Sequence, residues 1–413
     1  MENSPEVWTP HWVGQLPELE IVAIPDAEKD EFIHHLFEYM QQTFNHGYSS
    51  QTRTDQRFGR VDEWRLNTSD GRELPRLWVI NRPDGLMLAL AGQGEQRNEE
   101  VAVWRQGIES AIVRLGTRTE REWIAILSQY QPDSYMLNGQ RLGDPFTAGD
   151  LSFASLTDGV SEDARVPLSG IGVAAGQFCH WPIEVRGSTS CYTWLRDGEV
   201  TALARLRRLS ALLSLTWDSP WTVREGPRDP AVSFSEADAP LQGHSWRPIA
   251  DEILRDSGRK ISVPAWIIDA ERIIIQIPRL AHALLMHQEG LMLRRDHPSM
   301  ALVCFTAAVE TLAQINKNPE KCGECGMVLS SRKRFEDAIR GVLDEEQATY
   351  LAKAYPQRSR TVHQGRLHGT EMQINSFGRM SLFMEDEEML FTAGTVQSAQ
   401  EASKRLLLGS FGV

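Results

Sequence analysis

At 413 residues the chain exceeds one comfortable hydrophobic core, so two or three domains are expected. Its 41% hydrophobic and 24% charged residues exclude wholesale disorder, and a net charge of -13 excludes a protein that coats nucleic acid through a general positive field. The most apolar long stretch, Trp266 to Met286, carries Asp269, Glu271, Arg272 and Arg279. No membrane span is therefore expected, and with neither a basic start nor an apolar run after Met1 the expected location is cytoplasmic.

Taken in chain order, the first part is mixed α/β. Glu20 to Ile24, Leu77 to Asn81 and Leu86 to Ala91 have strand character, while Ala27 to Phe44 and Glu99 to Leu115 have helical spacing. His34, His35 and His46 lie in or next to the first of these helices. Adjacent histidines point about 100° apart on a helix, so they are expected to be packing or surface residues and not ligands of one metal. From Leu151 to Ile183, small apolar residues, Gly and Ser suit short strands and tight turns. His180 there has no evident acid–base partner. Glu199 to Thr216 reads as a helix packed through Leu203, Leu206, Leu209 and Leu213.

Pro220 to Pro240 is rich in Pro, Asp, Glu and Ser and reads as a connector. A compositional boundary lies further on, since all 12 tryptophans lie between Trp8 and Trp266 and none follows. The pattern then turns helical, with helices expected near 266–288, 298–315, 331–343, 345–364 (broken at Pro356) and 388–408. The acidic run Glu385 to Glu388 suits the start of the last one through the helix dipole. The expected class is α+β: a mixed α/β regulatory or sensing region over 1–225, a connector over 226–264 and an all-α bundle over 265–413.

The chemistry-bearing segment is Ala354 to Gly365, AYPQRSRTVHQG. It lies in a basic island, where Arg332, Lys333, Arg334, Arg340, Lys353, Arg358, Arg360 and Arg366 outnumber five carboxylates. Pro356 suits a first helical position, which would put Arg358 near a helix N-terminus, where free N–H groups favour anions. His363 follows five residues later, about 140° around a regular helix. A guanidinium can hold the non-bridging oxygens of a phosphate and an imidazole can move a proton. RNA brings its own nucleophile in the 2′-hydroxyl, so the scheme requires no metal and leaves DNA untouched. The Arg-x(4)-His spacing alone is weak, and its context gives it weight: it occurs once, within the helical region. A second feature is the apolar stretch Met300 to Ala313, whose one charge is Glu310. A buried carboxylate needs a partner, and Arg358 suits it. The alternative is that Glu310 sits at the helix rim in water.

The run Ser299 to Gly365 resembles the Apea-like branch of the HEPN superfamily. The resemblance rests on the apolar helix ending in Val309-Glu310-Thr311-Leu312, the basic helix with Phe335, and the Tyr355 to Gly365 segment. It covers about a third of the chain. It implies a bundle of four or five helices, a homodimer, and an endoribonuclease of toxin or anti-phage type with no cofactor for catalysis. Arg358 and His363 would be its catalytic pair, with Ser359 and Glu310 in support and Arg360 and Arg366 on the RNA. The rival expectation is a non-catalytic RNA-binding or protein-interaction module of the same fold.

Of five cysteines, Cys322 and Cys325 have C-x-x-C spacing, the first half of a tetrahedral zinc site. The second half is missing locally, so a structural zinc completed by a His or a second subunit, a loop with two free thiols, and a redox pair all remain open.

Overall fold

The computed structural model describes residues 21–22, 24, 28–44, 48–55, 59–66, 76–82, 85–91, 98–130, 139–156, 158–168, 172–191, 197–231, 247–315, 331–369, 371 and 391–413. The protein is mixed α and β with a helical C-terminal region. The chain forms two compact units, one of Met1–Glu120 with Ser190–Gly198, the other of Arg121–Thr189 with Glu199–Val413.

In the first unit, β1 (Ile21–Val22), α1 (Lys29–Phe44), β2 (Tyr48–Asp55), β3 (Gly59–Leu66), β4 (Arg76–Arg82), β5 (Gly85–Ala91) and α2 (Asn98–Arg114) follow in order. The five strands form an antiparallel sheet, β1-β5-β4-β3-β2. Phe32, Leu36 and Met40, spaced at helical intervals on α1, pack with Leu77 and Val79, alternate residues of β4, and with Trp104 and Ile108 of α2. His35 is fully buried on α1 between Glu31 (3.5 Å) and Glu38 (3.8 Å). His46 lies outside the described residues.

The second unit opens with all but the first two residues of β6 (Thr119–Gln129), then β7 (Gln140–Leu142), β8 (Phe146–Ala148), β9 (Leu151–Ser155), β10 (Val160–Leu168), β11 (Gly172–His180) and all but the last two residues of β12 (Ile183–Cys191). Then come α3 (Asp197–Trp217), β13 (Trp221–Arg228), β14 (Arg247–Pro248), α4 (Glu252–Arg255) and β15 (Arg259–Ile261). Its main sheet runs β13-β6-β12-β9-β8, beside a β11-β10-β14 sheet and the parallel pair β15-β7. Alternation along β6 divides its side chains. Trp123, Ala125 and Leu127 meet α3, whereas Ile124 and Ile126 meet Val160 of β10. Trp221–Arg228, expected within a connector, is an edge strand paired to β6. His180 is buried and stacked on Phe178 at 5.1 Å.

The helical region holds α5 (Ile267–Gln276), α6 (Pro278–Leu293), α7 (Pro298–Leu312), α8 (Ser331–Arg340), α9 (Glu345–Gln364), a π-helical turn (Phe391–Val396) and α10 (Gln397–Ser410). The single helix expected over 266–288 is two. Pro278 drives the preceding residue out of helical geometry, and Ile277 sits at φ -124°, ψ 86°. The reverse correction applies at Pro356, which lies inside a continuous α9. Glu385 to Glu388 lie outside the described residues. Sheet and helices share one core: Trp123 of β6 and Leu206, Leu209 and Leu213 of α3 cluster with Ile267, Leu284 and Leu407. The described part of the stretch read as a connector holds β14, α4 and β15, and it gives Ile261 and Val263 to that core. A second cluster joins Leu302, Phe305 and Val309 of α7 to Phe335, Ile339, Leu351 and Val396. No helix among the described residues is long and apolar enough to cross a membrane.

Candidate functional site

The site is built where α9 crosses the C-terminal end of α7. Asp344 caps α9 by accepting from the Gln347 N–H at 2.7 Å, and Ala348, Leu351 and Ala354 bury one face of it. The helix ends at Gly365 in the left-handed region (φ 64°), with Gly365 N–H donating to the Thr361 carbonyl and Arg366 N–H to that of Arg360. This paired termination favours glycine at that position. Arg358 and His363 therefore lie in the later turns of a long helix, near its carbonyl end. The N-terminal anion site expected from Pro356 is not formed, and attraction of an anion falls to side chains.

Two side chains converge on one carboxylate. Glu310, 15% exposed at its side chain, accepts from the Tyr355 hydroxyl at 2.5 Å through Oε1 and from Arg358 Nη2 at 3.2 Å through Oε2. Tyr355 rests against Phe335 of α8, with ring centroids 4.9 Å apart, and takes a hydrogen bond from the Ser331 hydroxyl at the start of α8. Burial pushes its phenol up, and Glu310 adds to the effect, so Tyr355 remains an O–H donor through the neutral range. Arg358 has no other partner among the described residues, and its Nε is buried without one.

His363 stands apart from this cluster. It is exposed, and no hydrogen bond or ion pair joins it to Arg358. Ser359 and Arg360, four and three residues before it, lie on its side of α9, the first half-buried and the second exposed. Arg366, past the helix end, is exposed. Cys322 and Cys325 lie outside the described residues. Among the described residues no group of three or more His, Cys, Asp or Glu is placed to hold a metal.

No protein-family model matches the chain, and no curated protein matches it in sequence.

A second arginine supplies the control. Arg205 of α3 donates through Nε to Glu271 Oε1 (2.8 Å) and through Nη2 to Glu271 Oε2 and Asp150 Oδ1 (both 3.0 Å). Its Nη1 serves Asp150 Oδ2 and the Ser188 carbonyl. All five guanidinium hydrogens are thus committed. Burial pushes the Asp150 carboxyl up, but hydrogen bonds from Arg205 and Ser188 and the guanidinium charge outweigh it and hold the group at about 2. This is a structural pin between sheet, α3 and α5. Arg358 is different in kind, because among the described residues it is aimed by one bond and otherwise uncommitted.

Two residues here were not singled out from the sequence. Tyr355 stands three residues before Arg358, and that spacing places both on one helix face. His368, held by its backbone N–H on Ser299 Oγ (2.7 Å), has its ring on the Gln357 carbonyl and near Arg360 and Arg366. The reversal at Gly365 brings it back along α9, which no local pattern announces.

Proposed function

We propose that this chain is a metal-independent endoribonuclease of HEPN type, a homodimer used in a toxin or phage-defence response. The observation that carries the reading is the state of Arg358: a guanidinium fixed at one corner by Glu310, with its other donors uncommitted among the described residues, on a helix that also exposes His363 and Arg360. Arg358 would hold the non-bridging oxygens of the scissile phosphate and offset the charge that grows as the phosphorus becomes five-coordinate. One His363 would take the proton of the 2′-hydroxyl as its oxygen attacks phosphorus. The 5′-oxygen leaves with a proton from a second imidazole, and the products are a 2′,3′-cyclic phosphate and a free 5′-hydroxyl. Arg360 and Arg366 would hold flanking phosphates, which a chain of charge -13 needs locally.

The second imidazole is the argument for two subunits. Within one chain His363 and Arg358 diverge by about 140°. A two-fold axis beside α9 brings two of each into one groove. Val362, 50% exposed next to His363, supplies apolar surface for such an interface.

Purified protein in EDTA is expected to cleave RNA, leave 2′,3′-cyclic ends and spare DNA. His363→Ala or Arg358→Ala is expected to lower the rate about 10²–10⁴-fold. Light scattering should give twice the 46.6 kDa chain mass. Mixing the two inactive variants should restore only a small part of the activity, since the groove of the heterodimer keeps one Arg and one imidazole but lacks the second imidazole that protonates the 5′-oxygen. Equal cleavage by wild type and both variants would sink the proposal. The separation of His363 from Arg358 within the chain favours a second reading, a non-catalytic RNA-binding module. That reading expects RNA binding that Arg358→Ala weakens, with no cleavage and no dependence on His363.

A further inference from the structure

Opposite charges line one cavity of the second unit without neutralising one another. The cavity has a volume of about 450 Å³, within the roughly 300–1,000 Å³ of small-molecule sites. Arg141 of β7, Asp158, Trp181, Glu252 and Arg255 of α4, and Asp256 just after it stand around the space. None of its described lining residues belongs to α7 or α9.

Backbone bonds set this wall in place. Trp181 is buried and donates its indole N–H to the Asp158 carbonyl at 2.9 Å. Two glycines let the chain close on the ring: a Cβ at Gly159 would fall 2.5 Å from the indole nitrogen, and one at Gly258 would fall 2.6 Å from a ring carbon. Arg255 donates through Nε to the Ile249 carbonyl at 2.8 Å, and its own carbonyl accepts from Arg141 Nη1 at 3.1 Å. Arg141 Nη1 also donates to Asp256 Oδ1 at 3.0 Å, so those two charges offset each other. The other charges stay open. With Nε committed, Arg255 presents the four hydrogens of its two Nη groups, and among the described residues they have no partner. Asp158 and Glu252 are exposed, and among the described residues their carboxylates have none either. Glu252 and Arg255 stand three apart on α4, a spacing that suits an ion pair, yet they form none.

We infer that this cavity binds a free basic amino acid, with its carboxylate on the paired Nη groups of Arg255 and its two cationic groups on Asp158 and Glu252. The end-on edge of a guanidinium matches the two oxygens of a carboxylate. The balance of open charges, one guanidinium against two carboxylates, selects among ligands. A simple anion would meet two like charges for one opposite charge. A diamine would leave Arg255 unanswered and repelled, and an amino acid with a neutral side chain would leave one carboxylate unanswered. Because the backbone already aims Arg255 and Asp158, little ordering remains to oppose binding.

Calorimetric titration of the full chain with L-lysine, L-norleucine and 1,5-diaminopentane tests this and involves no RNA. Norleucine lacks the side-chain ammonium of lysine, and diaminopentane lacks its carboxylate. Wild type is expected to bind lysine saturably and each of the other two at least about tenfold more weakly, the loss of one charge-assisted contact. Glu252→Gln and Asp158→Asn should each weaken lysine by a similar factor. Arg255→Gln should weaken lysine about tenfold and tighten diaminopentane, because a repelling charge has gone. A merely structural Arg255 would weaken both alike, and that result would overturn the inference. So would norleucine binding as tightly as lysine, or no saturable binding of lysine by wild type.

Discussion

The two arginines of the second unit differ in how much of the guanidinium the protein uses. Arg205 spends five hydrogens on Asp150, Glu271 and Ser188, and Arg358, among the described residues, spends one on Glu310. Saturation makes Arg205 a pin with nothing left for a ligand. Under-use makes Arg358 a group whose orientation is set and whose binding capacity is not yet consumed. A count of ion pairs would score the two alike, and only the accounting of individual donors separates them.

The largest effect expected from this contrast is on stability at Arg205. Glu271 is 5% exposed, so Arg205→Ala leaves a buried carboxylate without its partner and should lower the unfolding free energy by about 3–5 kcal/mol. Arg205→Lys should also cost stability, because one ammonium cannot reproduce a planar five-donor pattern. Denaturant unfolding measures both. If Arg205→Ala unfolds at the same midpoint as wild type, saturation of donors is no sign of a structural role.

Acid gives a smaller and graded effect. His180 and His287 are both held at about 3, in each case mainly by burial, with Arg224 adding to it at His180 and Lys404 and Arg294 at His287. Asp218 pushes His287 the other way without prevailing. For a histidine depressed in this way the unfolded chain binds the proton first, near pH 6.5. Stability is therefore fully present above that value and falls as pH drops from about 6.5 towards 3, by at most about 1.4 kcal/mol per unit for each histidine. Asp150 has the carboxylate sign: its contribution holds above pH 4 and is lost as pH falls from about 3.8 to about 2. The gap between wild type and Arg205→Ala should thus persist at pH 5, where both proteins have already lost part of their histidine stability, and should narrow only below pH 4. A gap that closes between pH 7 and 5 would assign the pin to another titrating group.

What was legible in the sequence follows the range of the interactions. The helices over α1, α2, α3 and α7 were readable because their periodicity is local, and Glu310 drew attention as one charge in an apolar stretch. Arg205 was not readable: its carboxylates are 55 and 66 residues away, and on α3 it is one arginine among leucines. Prolines misled in both directions. Pro278 split a helix read as one, while Pro356 failed to split another, since packing of Leu351, Ala354 and Thr361 holds α9 through a missing backbone donor. That one misplacement moved Arg358 from the start of a helix to its later turns and removed the dipole argument with it. Tyr355 was in reach of the sequence, because a three-residue offset from Arg358 marks a shared face, but the sequence does not say that the shared face meets Glu310.

The smallest expected effect is also the most discriminating. Arg358 makes a single end-on contact of 3.2 Å with a side-chain exposure of 24%, and its partner keeps the Tyr355 hydroxyl after the arginine is gone. Solvent and the phenol together absorb the loss, so Arg358→Ala should lower stability by no more than about 1 kcal/mol, in the range of partly exposed pairs. The buried Nε points the same way, since removing a donor that had no partner removes a cost along with a contact. The variant should therefore unfold close to wild type while losing the RNA cleavage and binding that we propose for the chain. Measured beside Arg205→Ala under the same denaturant, it puts the two arginines on one scale. Should Arg358→Ala lose as much stability as Arg205→Ala, the guanidinium at Glu310 is a second pin, its open donors are incidental, and the site for a phosphate has to be sought elsewhere on the chain.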